Sequence, residues 1–251
     1  MIQGNTIILY GIFASLCAGL ATGVGSLPVL FTRGISDKLM DSMLGFAAGV
    51  MLAATSFSLM VPAIEYGGVW ITAVGFLAGG AFIHLIDKYI PHEHFILGHE
   101  GPASPSLRKI WLFVLAITIH NFPEGLAVGV GFGSGDVAAG TTLAIGIGIQ
   151  NAPEGLAVAL ALVREKYKPS KALWYGTLTG LVEPVGGVIG ATIVVLAQPM
   201  LPFFLAFAGG AMLFVISDEI IPETHSRGHE RAATFGVMLG FLIMTLLDNM
   251  L

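Results

Sequence analysis

The eleven Lys and Arg residues of this chain are confined to alternate gaps between eight apolar stretches. The stretches are 7–30, 42–61, 69–85, 110–132, 137–163, 173–197, 201–220 and 232–251, and a membrane-crossing helix needs about 20 such residues. Arg33 and Lys38 follow the first stretch, and Lys88, Arg108 and Lys109 follow the third. Arg164, Lys166, Lys168 and Lys171 follow the fifth, and Arg227 and Arg231 the seventh. The stretches themselves and the other gaps carry no basic residue. Basic loops stay on the cytoplasmic side. The pattern therefore predicts eight spans, with the loops after spans 1, 3, 5 and 7 inside and both termini outside. A different number of spans would scatter these charges over both faces.

Composition agrees. Only 11% of residues are charged, against about 25% in a soluble domain, and the mean hydropathy is +0.85. The predicted fold class is all-α: a polytopic membrane protein built as an eight-helix bundle, one transporter-sized domain over 1–251. The net charge of −5 points to no particular partner, because placement outweighs the sum. Cys17 is the single cysteine and cannot form an internal disulfide. The first apolar run is too long for a signal-peptide core, so it reads as a retained first helix. Small-residue spacings such as Gly19–Gly23 are ordinary in packed membrane helices.

Against this background three carboxylates stand out. Glu124, Glu154 and Glu183 lie within spans 4, 5 and 6, and no span holds a Lys or Arg to neutralise them. A charge at the bilayer centre costs at least about 2.5–3.5 kcal/mol unless it is paired or hydrated. Counted from the inner ends of their spans, the three sit 14, 9 and 10 residues deep, or about 14–21 Å at 1.5 Å per residue. They share one level near the midplane. Protonation, water or a bound cation would each relieve the cost.

The surrounding motifs favour a cation. HNFPEGLA at 120–127 is nearly repeated as QNAPEGLA at 150–157. His120 and Glu124 are four apart and share a helix face, as do Gln150 and Glu154. Asn121 and Asn151 each lie three residues before the glutamate, on a neighbouring edge. Imidazole, amide and carboxylate groups together suit borderline divalent ions such as Zn²⁺ and Fe²⁺, and the absence of thiolates disfavours copper(I). Pro123, Pro153 and Pro184 free the carbonyls of Ile119, Ile149 and Gly180. A carbonyl freed in lipid must meet a partner, which a polar path through the bundle would supply.

These residues resemble the ZIP (ZRT/IRT-like) family of divalent metal transporters. HNFPEG on span 4, QNAPEG on span 5 and a glutamate on span 6 carry the likeness, and Gln150, where many relatives have His, is similar to the GufA-like branch. The resemblance implies influx of zinc, with iron, manganese or cadmium as further substrates, through a 3+2+3 arrangement of helices with inverted repeats. It also implies movement of spans 1, 4, 5 and 6 against the others. It implies a primary metal site of His120, Glu124, Gln150 and Glu154, and a second of Asn121, Asn151 and Glu183 with Glu154 bridging. Asn151 stands where some relatives have Asp, which removes one negative charge from the second site.

Further candidate ligands lie at the ends of the path. The predicted cytoplasmic loop 88–109 carries His92, Glu93, His94, His99 and Glu100, and the loop after span 7 carries Glu223, His225, His229 and Glu230. Histidine-rich tracts bind metal by composition rather than geometry, and a solvated loop accounts for them equally well. Asp218 and Glu219 are placed at the inner surface, able to receive a leaving ion, and His84 and Asp87 near the inner end of span 3. On the outer side Glu65 and Asp136 are the single charges of their loops, and Glu65 is the preferred cation attractor.

Rival classes are weaker. A zinc protease wants HExxH, whereas this chain has HNFPE. The serine of GFGSGD (131–136) has no base nearby. A proton- or sodium-coupled solute carrier fits the buried carboxylates but not the crowding of amides around them. The predicted partners are divalent ions and the lipid bilayer of a bacterial cytoplasmic membrane, not nucleic acid, with a homodimer allowed for.

Overall fold

The structure, a computed structural model, describes residues 4–32, 34–94, 98–102 and 108–251, with the backbone alone at His94. Arg33, the His94 side chain and loop positions 95–97 and 103–107 therefore lie outside the described residues. Ten α-helices are described: α1 Gly4–Ser26, α2 Asp37–Ala53, α3 Val61–Tyr89, α4 Lys109–Gly133, α5 Val137–Arg164, α6 Pro169–Gly180, α7 Glu183–Leu196, α8 Leu201–Val215, α9 Ile221–Thr224 and α10 Glu230–Met250. Seven helical runs among the described residues are long and apolar enough to cross a membrane, so the chain is a polytopic, mainly helical membrane protein. One of them, Asp37–Tyr89, has 53 residues. A straight helix of that length would reach about 80 Å, far beyond a hydrocarbon core of roughly 30 Å. The run breaks at Gly68, where φ is 75° and ψ 169°, a conformation open to glycine and costly for other residues.

Two short π-helical stretches interrupt the bundle, Ala54–Met60 before α3 and Ile216–Ile220 before α9. Each runs straight into a proline, Pro62 or Pro222. Proline has no N–H to return to the preceding turn, and a widened π turn absorbs the missing bond. The second stretch corrects a sequence expectation. Asp218 and Glu219 do not close a helix at the surface; the helix path continues to Thr224, and Glu219 is buried within it. The sixth predicted span also differs. It is not one kinked helix but two, α6 and α7, with a turn at Leu181 and Val182 that leaves Glu183 as the first residue of α7.

Two sets of helices recur in the packing. In one, α1 packs on α5, α6 and α7, and α4 on α7 and α5. In the other, α3 packs on α8 and α2 on α10. The sets meet chiefly through α2 against α5 and α4 against α8. Between α3 and α4 lies an antiparallel hairpin, β1 His92–His94 and β2 Gly98–Glu100, paired His92 to Glu100 and Glu93 to His99. It packs on α4, and Lys109 Nζ bonds Glu93 Oε1 at 2.7 Å.

Candidate metal path

The motif residues reach the interior because two helices carry them at the same pitch. Pro123 lies inside α4 and Pro153 inside α5, each one position before its glutamate. The glycine after each glutamate brings a second helix close. A methyl on Gly125 would overlap the backbone carbonyl of Glu183 on α7, and one on Gly155 would overlap that of Thr22 on α1. The Pro-Glu-Gly triplet therefore sets a carboxylate beside a seam where two backbones touch. Ser26 fastens the second seam, donating to the Gly155 carbonyl at 2.8 Å.

All seven predicted midplane residues are buried, none more than 4% exposed: His120, Asn121, Glu124, Gln150, Asn151, Glu154 and Glu183. Asn151 is the hub of one half. Its amide nitrogen donates to Glu183 Oε1 at 2.6 Å and to the Ala18 carbonyl at 2.8 Å. Its oxygen accepts from Gln150 Nε2 at 2.5 Å, and the same Gln150 side chain faces Glu124. The other half has unused capacity. Among the described residues the Asn121 amide, both carboxylate oxygens of Glu154 and Oε2 of Glu183 have no hydrogen-bond partner. Unpaired buried polar groups cost roughly 1–3 kcal/mol each, more when charged. Glu154 also feels the charges of Glu124, Glu183 and Glu219 with no Lys or Arg inside the set. A site that gathers several carboxylates with no Lys or Arg among them is chemically suited to a cation.

One member was placed elsewhere by sequence reasoning. The His120 Nε2 and Glu219 Oε2 atoms are in direct contact, and Glu219 is 3% exposed. Counting residues from the end of a span could not place it, because the π turn shifts the register of everything after Val215. The Pro222 signal was visible; its effect on Glu219 was not.

From this level a cavity of about 70 Å³ runs toward the end of the bundle that bears the basic loops. His120, Glu154 and Glu219 line its deep end, and Arg164, Glu223 and Arg227 its mouth. Beside the path, ligand oxygens of Asp87, Glu100 and Asp218 lie within 4.8 Å of one another, the one such group of three among the described residues. The buried His92 ring adjoins it, with Nε2 3.5 Å from Asp87 Oδ1 and 3.8 Å from Glu100 Oε2. Asp87 and Glu100 were thus under-read in the sequence, since hairpin pairing brings Glu100 back to α3.

The remaining candidates fall outside these clusters. His99 is exposed and bonds the Pro102 carbonyl at 3.1 Å. His225 is held by Thr224 and by Thr234 at 3.1 Å, and His229 lies by Asp41. Glu65 is exposed on α3, and His84 is exposed with its ring against Phe214. Asp136 is the N-cap of α5, accepting from the Ala139 N–H at 3.0 Å.

Comparison with known proteins accords with this geometry. The family model described as ZIP zinc transporter matches residues 97–248. The chain is 47% identical to "Zinc transporter GufA" of Myxococcus xanthus, over 95% of this chain and 97% of that one. It is 42% identical to "Zinc transporter ZIPB" of Bordetella bronchiseptica, over 96% and 81%, and 37% identical to "Zinc transporter ZIP11" of Homo sapiens, over 99% of each. With its paired HNFPEG and QNAPEG helices converging on one level, the chain belongs to the ZIP zinc transporter family.

Proposed function

We propose that this chain carries divalent metal ions, zinc foremost and cadmium, iron or manganese in addition, across a bacterial cytoplasmic membrane into the cell. It is a transporter, not an enzyme. The observation that carries the reading is the buried set of carboxylates on α4, α5 and α7, two of whose members retain unbonded oxygens, with no Lys or Arg paired to any of the three among the described residues. His120, Glu124, Gln150 and Glu154 hold the ion, and Asn121, Asn151 and Glu183 form an auxiliary site with Glu154 shared. The amide of Asn151 already ties Glu183, which favours a weaker second site.

The ion arrives past Glu65 and leaves along the cavity below His120, first to Glu219 and then past Glu223 at the mouth, with the Asp87, Glu100 and Asp218 group beside His92 as a neighbouring acidic cluster. His94, His99, His225 and His229 act as a diffuse collecting surface on the inner loops. The break at Gly68 within Asp37–Tyr89 supports reading that run as two spans, and on that reading the chain is a single domain of eight spans with both termini outside and loop 88–109 within. Matched π turns and the α2–α10 and α3–α8 pairs support an inverted repeat in a 3+2+3 arrangement. The limited contact between the two helix sets supports movement of one against the other, and a homodimer would leave this path intact.

The test is uptake of radioactive zinc into proteoliposomes. Glu124→Ala and Glu154→Ala should each insert normally and lose uptake. Full uptake in both variants overturns the site. Competition of unlabelled cadmium, iron and manganese against the zinc signal ranks the substrates.

A further inference from the structure

A fixed cation stands at the mouth of a path that, on the reading above, conducts cations. Arg227 lines the cavity mouth together with Glu223, and Glu219 lies deeper on the same side. The three are four residues apart in turn, so they step outward along one path. Arg227 bridges two carboxylates. Nη2 donates to Glu223 Oε1 at 2.6 Å, and Nη1 to Asp41 Oδ1 at 2.9 Å. The two acceptors differ. Glu223 faces the cavity, whereas Asp41 is on α2 with its side chain fully buried. Asp41 Oδ2 has no hydrogen-bond partner among the described residues.

We propose that Arg227 is a tethered counter-cation: it occupies Glu223 between transport events and swings wholly onto Asp41 as each divalent ion passes. The exchange is chemically balanced. Guanidinium and carboxylate form two parallel bonds when both oxygens are available. Leaving Glu223 therefore costs Arg227 one bond and gains it one, at Asp41 Oδ2. Glu223 meanwhile exchanges a monovalent partner for the divalent ion. When Arg227 returns, it competes with the ion for Glu223 and repels it, which hastens release and keeps the mouth from becoming a trap. The outermost carboxylate of the path is thus a stepping stone rather than a storage site.

Uptake by the full chain in proteoliposomes and zinc content of the purified protein test this together. Arg227→Gln should retain about one extra zinc per chain and lower kcat about tenfold with KM within about twofold. Glu223→Gln combined with Arg227→Gln should restore kcat to that of Glu223→Gln alone, and Arg227→Lys, whose ammonium cannot make two parallel bonds to Asp41, should recover only part of the kcat lost in Arg227→Gln. In wild-type protein, saturating zinc should slow phenylglyoxal labelling of Arg227 about threefold, because the guanidinium then sits wholly on the buried Asp41, a readout independent of whether the variants fold. Unchanged labelling overturns the proposal, as does a loss in Arg227→Gln that Glu223→Gln fails to relieve, the result expected of a mere structural brace. If wild-type protein takes up no zinc at all, the transport reading itself falls.

Discussion

The seam between α5 and α1 makes a demanding prediction. Gly155→Ala adds a methyl that overlaps the Thr22 carbonyl, a backbone atom unable to rotate away. Carbon and oxygen settle at about 3.3–3.6 Å, so the two backbones must part by about 1.5 Å in all, a shift shared between the helices. Overpacking of this kind costs roughly 1–3 kcal/mol. The larger effect falls on the preceding residue, Glu154, whose displacement by about 1 Å should lower transport about 100-fold by analogy with misplaced reacting groups. Gly125→Ala should do the same through Glu183. Gly148→Ala is the control on α5. Its methyl would meet the Ala18 Cα at 3.7 Å, an ordinary contact, and uptake should stay within about twofold of wild type. The assay is initial-rate zinc uptake into proteoliposomes, normalised to inserted protein, with a thermal melt of each detergent-solubilised variant. Gly155→Ala protein with wild-type uptake and melting would refute the account of the seam.

Asn151→Asp should lower the melting temperature of metal-free protein, because it replaces the donor to Glu183 and to the Ala18 carbonyl with a second acceptor; cadmium should restore more stability to it than to wild type, and equal cadmium shifts would count against a role for this position in metal binding. Asp136→Ala should cost about 1 kcal/mol of stability through loss of the α5 cap and leave zinc KM unchanged, whereas a raised KM would assign Asp136 to attracting ions. Ligands must be deprotonated to bind metal, so protons on His120 and the glutamates favour the metal-free form: zinc affinity measured in detergent should weaken as pH falls below neutral, and an affinity that rose on acidification would exclude these ligands.

The sequence disclosed the midplane set because the forces there are one-dimensional. Charge is excluded from apolar runs, so Glu124, Glu154 and Glu183 were conspicuous, and helical pitch placed His120 and Gln150 beside two of them. Glu219 escaped because a π turn breaks that pitch, and only the folded chain shows how many residues the turn absorbs. The division of the sixth span into α6 and α7 was half legible: Pro184 marked a disturbance, but a kink and a break look alike in one sequence. The hairpin at 92–100 had no apolar alternation to betray it, and its pairing alone carries Glu100 to Asp87. Asp136 reads as a lone surface charge in the sequence, although the bond by which it caps α5 reaches only three residues along the chain.

The seams at Gly19–Gly180, Gly125–Glu183, Gly129–Gly187 and Gly155–Thr22 join main chain to main chain across α1, α4, α5, α6 and α7. Side chains give under load by changing rotamer; peptide backbones in contact have no such slack. With α1 also packed on α4 and α7, those five helices should respond to a push with little internal give, as one stiff cassette. On the transport reading proposed above, sliding would fall at the fronts where α2 meets α5 and α4 meets α8, and an ion gripped inside the cassette would keep its geometry for the whole journey.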